Sequence, residues 1–384
     1  MLARTILQSA RLVFFLSLSF SVFARAQVPV AEQNKKSECS EKDVTLTEYI
    51  NRLKLAAHFQ FQVGQIVDGE RSAGRNPKVF IIARAGQDLA GVVTLKDSLQ
   101  GRSLSVQDIF NRVNPNSYLR DSGEVDVSKV HRELKTVYGD KSRQLIYSHI
   151  GILFVDHPDK DKLVTYRPDI TNEGTLWVEH LLKPCDTLKQ STFISGDSMF
   201  FQDDPHDYRA IIMVPEQVIQ DRIYDMIINK KIHTRYLAEK YNVAAPYDSL
   251  QEQNSNQWVL EVIAASTTAQ YMDVKTRAQA QHLLKQGHFT PTKILADSLK
   301  FGFATSVFAP GSVNIRDSEH KFARPYGVTE VVTELSVREY MLRNKITSLE
   351  KIFEVVLPDN EREKNLEEGE LDEEGRPVRK RKSN

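Results

Sequence analysis

The chain has 384 residues, 27% of them charged, and its 51 basic side chains balance 51 acidic ones. A nucleic-acid-binding protein normally carries a basic surplus, so this composition excludes that class and leaves small-molecule, peptide or glycan partners open. The length allows one large domain or two small ones, with enough residues for a substantial hydrophobic core.

Residues 1–26 have the features of a cleavable secretory signal peptide. Arg4 and Arg11 charge its start, an apolar run follows over 12–23, and residues 24–26 (Ala-Arg-Ala) provide the small side chains that a signal peptidase requires. The apolar run is shorter than the roughly 20 residues that span a bilayer as a helix. We therefore expect cleavage and a periplasmic or secreted protein without a transmembrane segment. An uncleaved membrane anchor is the alternative.

Two cysteines, Cys39 and Cys185, follow the export signal. An even number of cysteines in an oxidising compartment favours one disulfide. In chain-entropy models a loop of this length contributes roughly 4 to 5 kcal/mol, which is an upper estimate because native strain reduces it. Two free buried thiols are the alternative.

A polar spacer at 27–44 precedes a single α+β domain that we expect to extend over 45–358. Its first element is an amphipathic helix at 45–65, where apolar residues recur at helical spacing. A short β-branched run at 78–84 predicts a central strand. Residues 91–143 break into short pieces with Asn, Pro, Ser and Gly clusters, which indicates an inserted, lid-like segment outside the core.

The rest of the domain mixes strands and helices. β-branched and aromatic runs predict strands at 144–155, 163–167, 175–182, 210–214 and 326–335. Helical spacing predicts helices at 215–231, 256–267, 274–286 and 336–342. We therefore expect a small, mainly antiparallel sheet, built from neighbouring strands and flanked by helices. The charged run at 359–384 is disordered by composition.

Three polar residues stand out from apolar surroundings: His149 and His180 on predicted strands, and Ser255 at the start of a predicted helix. A hydroxyl at a helix amino terminus gains from the helix dipole and from free backbone N–H groups, which favour the oxyanion that a nucleophile creates. A histidine on a neighbouring strand takes the proton, and a second polar residue orients that imidazole. This logic predicts Ser255 as nucleophile, His149 as base and His180 as orienting group, whatever their order along the chain.

Each of these residues also has a purely structural interpretation. Ser255 fits the amino-terminal cap of its helix, which is worth about 1 kcal/mol against alanine. His149 fits a core histidine bonded to a carbonyl, although Gly151 nearby would let another backbone approach closely. His180 and Glu179 point to opposite faces of one strand, so only one of them can join the site; Glu179 is the second choice.

Five further residues near these three are predicted to bind or to orient: Tyr147, Asn254, Asn256, Trp258 and Asp88. Asp88 follows a strand end and fits a turn equally well. No pair among the ten histidines has the spacing of a zinc motif such as HExxH, and the glycines of a phosphate loop are missing. We therefore predict neither a metal ion nor a cofactor.

Several strings of the sequence resemble the bacterial DUF2145 family. They are 83–89 (ARAGQDL), 147–151 (YSHIG), 180–182 (HLL) with Cys185, 200–205 (FFQDDP), 253–261 (QNSNQWVLE) and 277–281 (RAQAQ). The resemblance extends in order from about 79 to 335. The segment at 91–143 is longer than the family pattern, and the charged tail lies outside it. This family implies no activity.

A second resemblance implies a chemistry. The Ser-His-Ile-Gly-Ile strand before a helix-opening nucleophile is similar to circularly permuted NlpC/P60, papain-like enzymes, in which the histidine strand comes first and the nucleophilic cysteine last. It implies a papain-like fold, with His149 at the base position, Glu179 or His180 at the orienting position, and Ser255 where the cysteine stands. Unlike a thiol, the serine hydroxyl stays protonated and needs the base in the transition state.

Two functions follow from this reasoning. One is a hydrolase or acyltransferase that acts on amide or ester bonds of envelope material. The other is a non-catalytic envelope protein whose pocket binds a peptide, glycan or lipid. A separation above about 6 Å between the Ser255 hydroxyl and the His149 ring would exclude direct proton transfer without a rearrangement.

Overall fold

The computed structural model describes residues 46–85, 89, 92–155, 177–182, 192–195, 200–201, 207–230, 232–269, 271–296, 326 and 328–363. Outside these described residues lie the predicted signal peptide, the polar spacer, Cys39, Cys185, Asp88, the predicted strand at 163–167 and residues 364–384. Within the described ranges, no helix is both long enough and apolar enough to cross a membrane.

The regular elements are numbered in chain order. The helices are α1 (Leu46–Ser72), α2 (Val106–Val113), α3 (Val127–Glu133), α4 (Gln217–Tyr224), α5 (Ser255–Thr268), α6 (Arg277–Gln286) and α7 (Glu334–Arg343). The strands are β1 (Val79–Arg84), β2 (Val92–Thr94), β3 (Ser98–Leu99), β4 (Arg102–Ser103), β5 (His149–Phe154), β6 (Trp177–Leu182), β7 (Thr192–Ser195), β8 (Arg209–Met213), β9 (Lys240–Tyr241), β10 (Glu252–Gln253), β11 (Thr292–Ala296), β12 (Val328–Val331) and β13 (Ile352–Val356).

The main sheet has six strands in the order β13-β8-β1-β5-β6-β7, and every pairing within it is antiparallel. All six residues of β1 are buried, which is why its apolar run reads as a central strand. Consecutive strands β5, β6 and β7 pair as neighbours, whereas β1 pairs with β5 and β8. The prediction of an α+β fold with a mainly antiparallel sheet is confirmed.

Helices cover both faces of the main sheet. On one face, Phe80, Ile82 and Leu153 pack with apolar residues of α1. On the other face, Ile81 and Ile152 pack with apolar residues of α4, α5, α6 and α7. Side chains alternate between the two faces of each strand, so a strand residue's number decides which helical layer it meets.

The segment predicted to be a lid-like insertion has a hydrophobic cluster of its own. Leu95, Leu104, Ile109 and Leu134 are buried within it. Strand β2 extends a second antiparallel sheet in the order β12-β11-β2, so the segment is joined to the rest of the fold by strand pairing. The apolar residues of this segment therefore bury one another in a cluster that is separate from the two clusters on the main sheet.

Two boundaries near the carboxyl end differ from their predicted positions. The predicted strand at 326–335 ends at Val331, because Thr333 caps α7 and forms a capping box with Ser336. The charge run predicts a disordered tail from residue 359. The first residues of this tail contact α1 instead, since Asn51 donates to the Glu363 carbonyl at 3.2 Å and accepts from the Glu363 amide at 2.8 Å.

Candidate functional site

Ser255, His149 and His180 form one buried chain of hydrogen bonds. The Ser255 Oγ lies 2.9 Å from Nδ1 of His149, and Nε2 of His149 lies 2.8 Å from Nδ1 of His180. Both distances are within hydrogen-bond range. The structure therefore brings together the three residues that the sequence predicts as nucleophile, base and orienting group.

The main sheet places both histidines on one face. His149 is the first residue of β5, and His180 lies on β6 opposite Gly151, two residues along from His149. Glu179 points to the opposite face by strand alternation. Of the two orienting candidates, it is therefore His180 that contacts His149.

Helix α5 supplies the hydroxyl from its first residue. Asn254, not Ser255, caps the helix, because its side chain accepts the backbone N–H of Gln257 at 2.8 Å. The purely structural interpretation of Ser255 as the cap is therefore wrong. As the first helical residue, Ser255 has a hydroxyl that is free to meet His149.

The other predicted orienting residues have structural contacts. The Asn256 side chain donates to the Ser148 and Val332 carbonyls at 3.4 and 3.3 Å, which ties the start of α5 to β5. Trp258 is buried in the hydrophobic cluster on the face of the main sheet that packs against α4, α5, α6 and α7. The Tyr147 hydroxyl donates to the Glu354 carboxylate at 2.6 Å, which joins the segment before β5 to β13.

An aromatic ring packs against both histidines. The centroid of Phe200 lies 5.5 Å from that of His149 and 5.4 Å from that of His180. The Arg84 guanidinium lies 5.5 Å from the same centroid, within cation–π range. Arg84 is also the cross-strand partner of His149 and is 2% exposed. Sequence reasoning assigned no role to Arg84 or Phe200, although a charged residue closing an otherwise apolar strand was a usable signal.

The electrostatic surroundings keep both imidazoles neutral at pH 7. Burial, with the charges of Arg84 and His180, holds the pKa of His149 well below its usual value. Burial and Arg84 lower the pKa of His180 to about 3. Burial also raises the pKa of Glu179 to about 7, against a hydrogen bond with Trp177 that lowers it. A neutral His149 is in the protonation state that a general base requires.

The hydrogen-bond chain admits two proton arrangements. If the Ser255 hydroxyl donates to Nδ1 of His149, Nε2 of His149 carries a proton and donates to His180. His180 then carries its own proton on Nε2, which has no hydrogen-bond partner among the described residues. In the reverse arrangement Nδ1 of His149 donates to Ser255, whose proton goes to Oδ1 of Asn256 at 3.4 Å. Only the first arrangement activates the hydroxyl.

A buried ion pair fixes the helix that carries Ser255. The Arg277 guanidinium binds both carboxylate oxygens of Glu261, at 2.9 and 3.0 Å. Gln253 and Gln281 donate to the same carboxylate at 3.0 and 3.1 Å. These four residues lie within the strings 253–261 and 277–281, which carry part of the family resemblance. The attachment of α5 to α6 therefore explains part of those strings.

A metal site finds no support in the described part of the chain, where no group of three or more His, Cys, Asp or Glu side chains is arranged to hold an ion. The two histidines at the site are buried and hydrogen-bonded to each other.

The fold and the site define an α+β protein with a buried serine–histidine–histidine chain. Residues 134–341 match the family described as an uncharacterized protein conserved in bacteria, DUF2145. This match covers more than half of the chain, and the protein belongs to that family. The matched range includes Ser255 and both histidines, whereas the string at 83–89 precedes it. No curated protein and no solved structure matches the chain.

Proposed function

We propose that the protein is an exported hydrolase or acyltransferase that acts on amide or ester bonds of envelope material. The observation that carries this proposal is the continuous chain from Ser255 through His149 to His180, with links of 2.9 and 2.8 Å. The order of these residues along the sequence, with the histidine strand first and the helix-opening nucleophile last, supports a papain-like assignment of roles. The export signal at 1–26 supports an envelope substrate.

The proposed reaction begins with attack of the Ser255 oxygen on the substrate carbonyl. The hydroxyl proton passes to Nδ1 of His149, and the resulting imidazolium keeps its Nε2–H bond to Nδ1 of His180. His149 then returns that proton to the leaving amine or alcohol, which leaves an acyl group on Ser255. Water or a second nucleophile attacks the acyl group and gives its proton to Nδ1 of His149. The bond between the acyl carbon and the Ser255 oxygen then breaks, and His149 returns the proton to that oxygen.

Helix α5 supports this chemistry at its amino terminus. The first backbone N–H groups of a helix have no partner within the helix, and the helix dipole adds partial positive charge at that end. An oxyanion formed next to Ser255 would therefore meet suitably placed donors. The burial of His149 and the charge of Arg84 impose a cost on the same step, because both disfavour a positive charge on His149.

The second candidate is a non-catalytic envelope protein that binds a peptide, glycan or lipid. Two observations favour it. Ser255 exposes only 2% of its surface, so a substrate reaches the hydroxyl only if covering residues move. The strongly lowered pKa of His149 also makes it a weak base.

Labelling of the mature protein with a fluorophosphonate probe separates the two candidates. We expect covalent labelling that is lost in Ser255→Ala and retained in Ser266→Ala. Ser266 is the matched control because it lies on the same helix, is fully buried, and donates to the Ile263 carbonyl at 2.7 Å. Labelling that survives Ser255→Ala would exclude the proposed nucleophile, and absence of labelling in folded wild type would support the binding protein.

A further inference from the structure

A cavity of ≈ 400 Å³ lies at the carboxyl end of α5. Ala265, one of its lining residues, is ten positions along the helix from Ser255, which corresponds to about 15 Å at 1.5 Å per residue. The cavity is therefore separate from the candidate catalytic site, although the same helix contributes to both. Its volume falls within the range of small-molecule sites, roughly 300 to 1,000 Å³.

The cavity has an apolar floor. Met226 and Ala265 are almost fully buried there, while Met272 is 40% exposed. Methionine side chains adapt their shape to a bound apolar group because they are unbranched and flexible. Met226 belongs to a π-helical segment, Asp225–Asn229, and π-helical turns occur frequently at functional sites.

Side chains of opposite charge line the cavity. Arg235 and Asp273 both line the cavity, and these two described residues form no ion pair with each other. Oδ2 of Asp273 lies 3.9 Å from Nζ of Lys275. Both side chains are well exposed, so this ion pair contributes little to stability. The other lining cation, Lys230, is engaged with Asp225 at 2.7 Å.

Tyr236 fixes the cavity wall that carries these charges. Its ring is fully buried, and its hydroxyl donates to the Val274 carbonyl at 2.7 Å. This bond connects the segment next to Arg235 with the segment next to Asp273. The backbone segments that carry the two charged residues are thus joined to each other.

We propose that this cavity binds a small zwitterion with an apolar side chain, an α-amino acid or a dipeptide. Its carboxylate would lie against Arg235, its ammonium group against Asp273, and its side chain against Met226 and Ala265. A molecule that is complementary to two opposite charges beside an apolar surface carries a negative group, a positive group and an apolar side chain. The guanidinium is well suited to a carboxylate because its donors match both oxygens.

The test is calorimetric titration of the mature full chain with alanyl-leucine, its N-acetyl derivative and its carboxyl amide. We expect binding of the free dipeptide and a loss of up to about fivefold when either charge is blocked, which is the range for exposed charge pairs. Arg235→Gln should weaken the free dipeptide by a similar factor and leave the affinity of the amide unchanged. Asp273→Asn should behave in the same way towards the N-acetyl derivative.

Two controls keep the result interpretable. Lys129→Gln removes a charge of similar exposure, 56% against 59% for Asp273, from a distant helix and should leave binding unchanged. Ser255→Ala should also bind normally, because the cavity does not depend on the proposed catalysis. No binding at millimolar concentration would overturn the proposal. Equal binding of the blocked derivatives, or binding of the acetylated form alone, would overturn the zwitterion and indicate an apolar or an anion site.

Discussion

Gly151 leaves room for Phe200. A Cβ at position 151 would lie 3.1 Å from the Cε2 atom of Phe200 and 2.9 Å from Cγ1 of Val178. The same Phe200 ring packs against His149 and His180. The missing side chain therefore lets one aromatic ring support both histidines.

Replacing this glycine should disturb the site. Gly151→Ala forces Phe200 or Val178 to move, and overpacking of this kind typically costs about 1–3 kcal/mol. We expect a lower melting temperature together with changed histidine resonances in NMR spectra. Gly64→Ala is the matched control, since nothing lies within 4 Å of its added Cβ and alanine favours the helix that contains it. Equal stability of the two variants would contradict this role for Gly151.

Arg84 should control the protonation of the two histidines. Burial is the main cause of the low pKa of His180, and the charge of Arg84 adds to it, so Arg84→Gln should raise that pKa part of the way from about 3 and Arg84→Lys should keep it low. Nitrogen-15 NMR of the imidazoles measures both the pKa and the position of each proton. An unchanged His180 pKa in a folded Arg84→Gln protein would assign its low value to burial alone.

The buried histidines should make the protein less stable in acid. The folded-state pKa of His180 is lowered to about 3, so between pH 6.5 and 3 the unfolded chain binds more protons than the folded one. The free energy of unfolding should therefore fall as the pH falls through this window, by up to about 1.4 kcal/mol per pH unit for this residue. His149 acts in the same direction because its pKa is also lowered.

In part of this pH range, buried carboxylic acids change the free energy of unfolding in the opposite direction. Burial raises the pKa of Glu179 and of Glu334 to about 7, so their contribution to stability is lost as the pH rises from 4.5 to 7. The comparison with His180→Asn isolates the histidine effect, because the acids are common to both proteins. Urea unfolding at several pH values should give a shallower pH slope below 6.5 for His180→Asn, and identical slopes would contradict the prediction.

The effects of substituting Glu261 and Arg277 on stability should be strongly coupled, because these residues form a buried ion pair. Its side chains are 0% and 6% exposed, and removing one partner of a buried pair typically costs about 3–5 kcal/mol. We expect Arg277→Met to unfold at much lower urea concentration and the double variant with Glu261→Leu to recover part of the loss. Lys275→Met, in an exposed pair with Asp273, should change stability by less than about 1 kcal/mol. Additive effects in the double variant would argue against the coupling.

Residue order and local pattern are sufficient to predict the catalytic candidates. His149 and His180 interrupt apolar runs, and Ser255 lies in the polar stretch that precedes the apolar part of a predicted helix. Both patterns are visible without knowledge of the fold. Arg84 and Phe200 escape such reasoning because their importance depends on the register of β1 against β5 and on the packing between elements. Neither the strand register nor the packing between elements can be predicted from a short stretch of sequence.

Short and partly exposed strands are also hard to predict from local pattern. β13 carries a charged Glu354 and is only partly buried along its length, so it lacks the apolar run that reveals β1. β11 owes its place to pairing with β12 and β2, which are distant in sequence. Long-range pairing of this kind is decided by tertiary context, which overrides local preference.

The position of β13 has a consequence for how the chain folds. This strand pairs with β8 at the margin of the main sheet, and the residues after it bind α1, with Asn51 contacting Glu363 across 312 positions. Until that last strand is made, β8 presents unpaired backbone groups that invite association with other chains. Contacts so distant in sequence also slow folding. We therefore expect β13 and the residues that follow it to protect the protein from aggregation while it folds. A truncation before Ile352 should remove that protection.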